Sequence, residues 1–325
     1  MGATRRLLLA ALAGLAAGRS VPGRAQSGFP TRPIRFVVPF APGGGSDIVA
    51  RLLVEELAPR LGQPLVVENR PGQAASLGAA YVAQQPPDGY TILIATPGVQ
   101  MTNPFLYANL SYDAERAFAP IVHIAHLPNL LVVHPSVPAN SVAEFIAHVR
   151  ANPDRLSFSS TGPGSSSHLA MELFMTMSGT RMTHVPYRSS GQALADLMAG
   201  RVEASLDSFA AMIPAVRAGS LRALGISTAR RLEDHPAIPA IAETLPGYEG
   251  TTLLYIIGPA GMPAPVVQRL NAAFNEVLRL PRITERFSEM GMAASGGTPE
   301  ELAAVIAEGR DKWRGVIQRA GVKLD

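Results

Sequence analysis

Two glycine-rich segments carry the residue types best suited to holding an anion. The first is Pro39-Phe40-Ala41-Pro42-Gly43-Gly44-Gly45-Ser46-Asp47, and the second is Ser159-Ser160-Thr161-Gly162-Pro163-Gly164-Ser165-Ser166-Ser167-His168. Consecutive glycines let the backbone approach a ligand and turn successive N–H groups inward. A helix starting directly after such a loop adds unpaired N–H donors and the positive end of its dipole. Each segment is therefore a candidate cradle for a carboxylate or phosphate. The first segment also fits a permissive turn. In the second, Ser166 or Ser167 is a candidate N-cap, with His168 packing on the helix beside them. The first loop lacks the lysine of G-x-x-x-x-G-K-[ST] and the spacing of G-x-G-x-x-G, which argues against nucleotide triphosphates and dinucleotides.

Catalytic patterns are weaker. Gly164-Ser165-Ser166-Ser167-His168 is not the G-x-S-x-G nucleophile elbow, and a histidine adjacent in sequence is not thereby a base for a serine. His123-Ile124-Ala125-His126 has the H-x-x-H spacing without H-E-x-x-H, in a context that suggests strand or loop. Asp207 ends a strand, where it either accepts from a ligand or bonds a neighbouring loop. His184 lies within a strand and reads as a satisfied buried side chain. The chain has no cysteine, which excludes thiol nucleophiles, Cys zinc sites and iron–sulfur clusters. No metal and no cofactor are expected.

The 325 residues are 47% hydrophobic and 16% charged, a length suited to two domains rather than one and a composition that excludes intrinsic disorder. The formal charge of +3 comes from the N-terminus. Arg5, Arg6, Arg19 and Arg24 precede residue 26 with no acidic residue among them, so the remaining chain carries −1. Without a basic stripe, and with 6% aromatic residues, nucleic-acid binding is set aside. Met1 to Arg6 is a basic n-region, Leu7 to Gly18 a twelve-residue apolar stretch, and Gly23-Arg24-Ala25 a small-x-small cleavage signal. A stretch of that length falls short of the roughly 20 residues needed to span a bilayer. Residues 1–25 read as a signal peptide cleaved near Ala25. The adjacent arginines leave the general and twin-arginine export routes open.

Positioning the two loops requires alternating strands and helices. Ile34 to Phe40, Leu65 to Glu68 and Thr91 to Ala95 read as strands, separated by helices over Asp47 to Leu61 and Leu77 to Gln85. Ser46 is a plausible N-cap of the first helix. This βαβαβ order predicts parallel strands with right-handed crossovers. The pattern restarts after Pro128, with strands at Leu130–His134, Leu156–Ser160, Met182–Tyr187, Val202–Asp207 and Leu221–Ser227. Ser141 to Glu144 is a capping box, and so is Thr298-Pro299-Glu300-Glu301 at the final helix. A strand over Thr252–Gly258 and a helix from Pro263 to about Leu280 lie between. Trp313, the only tryptophan, reads as a packing anchor. The division expected is residues 26–125 with 252–325 as one α/β lobe and 126–251 as the other.

The run from Pro33 to Asp47 resembles the opening of Bug-family proteins, the extracytoplasmic solute-binding proteins of tripartite tricarboxylate transporters. The resemblance continues through Glu68-Asn69-Arg70-Pro71-Gly72, Pro87-Asp88-Gly89-Tyr90-Thr91 and Asn103-Pro104. It extends to His184-Val185-Pro186-Tyr187, Leu221-Arg222-Ala223-Leu224 and Gly297-Thr298-Pro299-Glu300-Glu301, in order over nearly the whole mature chain. It implies a periplasmic-binding-protein-like α/β fold, two lobes closing on a small carboxylate solute, with no catalytic residue. Carried across, Phe40, Ala41, Gly43, Gly44, Ser46 and Asp47 match the first ligand loop. Thr161, Gly162, Gly164, Ser165 and His168 match the second, although Ser165 stands where threonine is usual. Tyr187 and Asp207 match positions lining the cleft. After Pro71-Gly72 the family usually continues Gly-Gly-Asn, whereas this chain has Gln73-Ala74-Ala75-Ser76.

The expected partners are the solute and either transporter membrane subunits or a sensor kinase, with the mature protein a periplasmic monomer. A serine hydrolase using the second loop is the alternative of another class. It requires a histidine within reach of the serine and a third group orienting it.

Overall fold

The computed structural model describes residues 28–43 and 45–324. The signal-peptide reading of residues 1–25, and Gly44 of the first loop, lie outside the described residues.

The first apolar run folds as β1 (Ile34–Val38), with Ile34, Phe36, Val37 and Val38 fully buried. Strands covered on both faces read as continuous hydrophobic runs, and this one lies inside its sheet. Helix α1 (Gly45–Leu61), β2 (Leu65–Asn69), α2 (Ser76–Ala83) and β3 (Thr91–Ala95) follow. β1 pairs in parallel with both β2 and β3, as the alternating pattern predicts. After β3 the chain makes a π turn (Gly98–Thr102) and the short α3 (Asn103–Leu106), then enters β4 (Phe118–Leu127). His123 and His126 are therefore strand residues.

Past Pro128 the second sheet begins. It holds β5 (Asn129–Val133), β6 (Ser157–Ser160), β7 (Thr183–Pro186), β8 (Ala204–Ser208) and β9 (Arg222–Ile226), in the order β7-β6-β8-β5-β9. Helices α4 (Val142–Ala151), α5 (Ser166–Ser178), α6 (Ser190–Met198) and α7 (Phe209–Arg217) connect them. The chain then returns to the first sheet through β10 (Thr252–Pro259), α8 (Ala264–Leu278), α9 (Pro281–Glu289), β11 (Ala293–Gly296) and α10 (Pro299–Ala320). The completed first sheet has the order β11-β4-β10-β3-β1-β2, with β10 antiparallel to β3 and β4.

Where the chain crosses between sheets, Asn129 Nδ2 donates to the Gly250 carbonyl at 2.8 Å and the Asn129 amide to Ser227 Oγ at 2.7 Å. Both crossings are thereby tied together. Helix α10 opens with the expected capping box: Thr298 Oγ1 accepts from the Glu301 amide, and the Thr298 amide donates to Glu301 Oε2. It packs on the π turn and β4 of the first sheet and on α5 beside the second.

Three local expectations are corrected. Helix α1 begins at Gly45, so Ser46 lies within its first turn instead of capping it. Helix α5 is capped by Ser165, whose Oγ accepts from the His168 amide at 3.3 Å, so neither Ser166 nor Ser167 is the cap. At α4, Ser141 caps Glu144, but the Glu144 carboxylate takes the Asn140 amide, so the box is not reciprocal.

Candidate functional site

A cavity of about 470 Å³ lies between the two sheets. Its walls are the segments that leave the carboxyl ends of β1, β3 and β6, the place where open α/β sheets bind ligands. The crossing at Gly250–Thr252 and Trp313 of α10 close it.

The β1 segment contributes Phe40. Its loop is held by Asp47, a buried residue whose Oδ2 accepts from the Gly43 amide at 2.9 Å and from Arg51 Nε at 3.0 Å. Asp47 Oδ1 accepts from Asn69 Nδ2 at 2.8 Å, and the same Nδ2 donates to the Phe40 carbonyl at 3.0 Å. Gly43, at φ +80°, has the left-handed backbone this closure needs. The Arg51 guanidinium, with the Gly43 and Asn69 donors, outweighs burial and lowers the Asp47 carboxyl to about 2. The Gly43 donor of the first cradle is thus taken by a carboxylate of the chain itself.

The β6 segment contributes Thr161, Gly164, Ser165 and Ser166. Its shape is fixed from behind. The Thr161 amide donates to Ser167 Oγ at 3.0 Å, the Ser165 amide to the Gly162 carbonyl at 3.2 Å, and the Gly164 amide to His168 Nδ1 at 3.0 Å. That last bond places the proton of a neutral His168 on Nε2, which faces Glu172 Oε1 at 3.4 Å. The amides of Ser166 and Ser167 open the first turn of α5, where no preceding helical carbonyl accepts from them.

From the β3 side, Thr96, Pro97, Gly98, Thr102 and Asn103 complete the wall, with Ala74 beside them. Asn103 is buried; its Nδ2 donates to the Ala74 carbonyl and to Ser76 Oγ, both at 2.9 Å, while its Oδ1 has no partner among the described residues. No charged side chain lines the cavity among the described residues. Hydroxyls of seven Thr and Ser residues alternate with the apolar faces of Phe40, Pro97, Leu169 and Trp313. Such a surface solvates a small acid through neutral donors and leaves its apolar part in contact with carbon.

Of the residues singled out from sequence, Phe40, Thr161, Gly164 and Ser165 meet at this cavity. Ala41, Gly43 and Ser46, in the loop and first turn that follow Phe40, do not line it, and neither does Gly162, which supports the turn around Gly164. His168 is buried beneath the second loop, stacked on His184 at 3.9 Å. The half-buried Tyr187 turns its hydroxyl to Asp196 Oδ2 at 2.8 Å. Asp207 is buried; Oδ1 accepts from the Ser208 amide at 2.7 Å and Oδ2 has no partner among the described residues. Burial pushes its carboxyl up, against the effect of the Ser208 amide. Sequence reading reached Ala74 only as part of the Gln73–Ser76 departure near the cleft and missed Thr96, Thr102, Thr251 and Thr252 at the cavity; Trp313 is the expected packing anchor and also lines it. The Asn103-Pro104 pair was the only local signal for the β3 wall.

Ser160 Oγ lies 2.6 Å from His184 Nε2, yet Ser160 is fully buried and neither residue lines the cavity. Burial, then the neighbouring His168, lowers His184 to about 4. The cavity serine Ser165 meets the His168 amide and Ser167 Oγ instead of an imidazole. Among the described residues no cluster of three or more His, Asp or Glu is placed to hold a metal ion.

Two α/β lobes joined by paired crossings, with a neutral hydroxyl-rich cavity between them, define the class of periplasmic solute-binding proteins. The family model described as "Tripartite tricarboxylate transporter family receptor" matches residues 49–322, and the chain belongs to this family. BugT of Bordetella pertussis is 32% identical over 326 residues, covering 100% of both chains. A solved structure of R. palustris Rpa4515 with adipate is 38% identical, with a TM-score of 0.80 over 91% of this chain and 99% of that one. MatC from Rhodopseudomonas palustris with bound malate is 32% identical, with a TM-score of 0.75 over 89% and 100%. The family and these structural neighbours are substrate-binding proteins, and the family is periplasmic. No described helix is long and apolar enough to cross a membrane.

Proposed function

We propose that this protein captures a small carboxylate-bearing solute in the cavity between its lobes and delivers it to the membrane subunits of a tripartite tricarboxylate transporter. The observation that carries the reading is the cavity wall itself: hydroxyls and the first-turn amides of α5, with no charged side chain. Adipate and malate in the two structural neighbours support the ligand class. The carboxylate sits at Thr161, Gly164, Ser165 and Ser166, and Phe40 packs on the rest of the solute. Ala41, Gly43, Ser46, Asp47, Gly162 and His168 shape the two loops, while Tyr187 and Asp207 lie on the second lobe outside the cavity lining. The lobes are 26–125 with 252–325, and 126–251, except that His126 and Leu127 complete β4 of the first sheet. The protein is exported with cleavage near Ala25 and acts as a monomer.

Each charge-assisted hydrogen bond contributes about 1.5–3 kcal/mol, so a few reach the roughly −8 kcal/mol of micromolar affinity after association costs. The test is thermal unfolding of the mature protein, freed of co-purified ligand, against dicarboxylates, tricarboxylates, aromatic acids and amino acids, with amide and phosphate controls. An acid at about 100 times its Kd stabilises by about 2.7 kcal/mol, a rise of several degrees. A rise confined to certain acids, without turnover, is expected. No rise with any acid would reject the carboxylate site.

A further inference from the structure

Between β2 and α2 the backbone adopts a conformation that its residue types resist. Gln73, Ala74 and Ala75 all lie in the left-handed region, at φ 46°, 48° and 79°. There a Cβ crowds the following carbonyl, so glycine and, less often, asparagine normally occupy it. Strain of this kind persists only where the surroundings over-determine it, and it gathers at ligand sites. The surroundings here are specific. Asn103 Nδ2 grips the Ala74 carbonyl and Ser76 Oγ, the Ser76 amide donates to the Gln73 carbonyl at 3.0 Å, and Ala75 and Ser76 are buried. The Thr96–Gly98 wall is pressed on this turn, since a Cβ built on Gly98 would stand 3.0 Å from the Ala74 oxygen. Of the three strained residues only Ala74 lines the cavity, and it is exposed there.

We propose that Ala74 is a specificity-determining residue, whose methyl group, fixed by the left-handed turn and the Asn103 grip, limits the size of the solute that the cavity accepts. The proposal rests on the reading of this cavity as the solute site. Glycine at this position would remove the methyl and leave room for a larger acid. Asparagine would keep the left-handed backbone and add bulk. Both replacements suit the backbone better than alanine, so both raise stability, while their effects on selectivity are opposite. This separates a role in the cavity from a role in the fold alone.

The experiment compares wild type, Ala74→Gly and Ala74→Asn by thermal unfolding and by calorimetric titration with succinate, adipate, suberate and benzoate. Both variants are expected to raise Tm by about 2–4 °C. Ala74→Gly should favour suberate and benzoate over succinate by about tenfold relative to wild type, the scale on which a pocket discriminates a single carbon. Ala74→Asn should move the same ratio the other way. Variants that gain stability with every affinity ratio unchanged would overturn the proposal, as would ratios that shift in the same direction in both. If wild type binds none of these acids and none of the wider panel of acids, the carboxylate reading itself fails and this inference falls with it.

Discussion

The Asp47 carboxylate accepts from the Gly43 amide, Arg51 Nε and Asn69 Nδ2, and this decides what the first glycine loop can offer. A carboxylate so engaged is the loop's internal counter-charge. It keeps Phe40 on the cavity wall through Asn69, so Asp47 acts on a solute only through its neighbours. The carboxyl titrates near 3.8 when unfolded and about 2 when folded. A lowered folded value means that the stabilisation is present above pH 4 and is lost as pH falls from there towards 2. Asp47→Asn should therefore cost stability at neutral pH, by about 1–2 kcal/mol given that Arg51 is half-exposed and screened. Urea unfolding at a series of pH values checks this. The gap between variant and wild type should narrow below pH 4, and a gap independent of pH would reject the ionic account.

At the scale of elements, helix α5 and the turn before it carry the second wall. Gly164, at φ +73°, lies where that turn meets the first lobe: a Cβ there would stand 2.8 Å from Leu106 Cδ1 and 3.0 Å from Leu324 Cδ1. Gly164→Ala should lose about 1–2 kcal/mol to the left-handed backbone and weaken solute binding tenfold or more by holding the lobes apart. Adding Leu106→Ala should restore much of the affinity without restoring the stability. If binding stays weak when Leu324→Ala is added as well, the crowding explanation is wrong. Signals of this local kind were legible from residue types alone. Thr298 with Glu301 announces the capping box of α10, and the alternation around β1 announces parallel pairing with β2 and β3. The left-handed run Gln73–Ala75 was not legible, because alanine has no propensity for it and the grip comes from Asn103, 29 residues from Ala74. The cap of α1 was misplaced because the side chain that ties the helix start to the loop is Asp47, which reaches back to the Gly43 amide as Glu144 reaches back to Asn140 at α4.

Across the whole molecule, the cavity is an outcome of topology. Phe40, Thr96, Thr161, Thr252 and Trp313 are distant in sequence and meet because β1, β3, β6, β10 and α10 converge between the two sheets. Reading along the chain finds loops that follow strands; it does not find which loops face one another. Trp313 is the clearest case. As the only tryptophan it reads as a core anchor, and it is indeed buried, yet it also forms part of the cavity on a helix that packs against both lobes. That position makes its emission a report on the site. A solute filling the cavity and excluding water should shift tryptophan emission and lower its quenching by acrylamide. The midpoint of that titration should match the Kd from calorimetry, and Trp313→Phe should abolish the signal. Emission unchanged by an acid that raises Tm would place that acid elsewhere on the protein, because no bound solute can occupy this cavity without touching the environment of its wall.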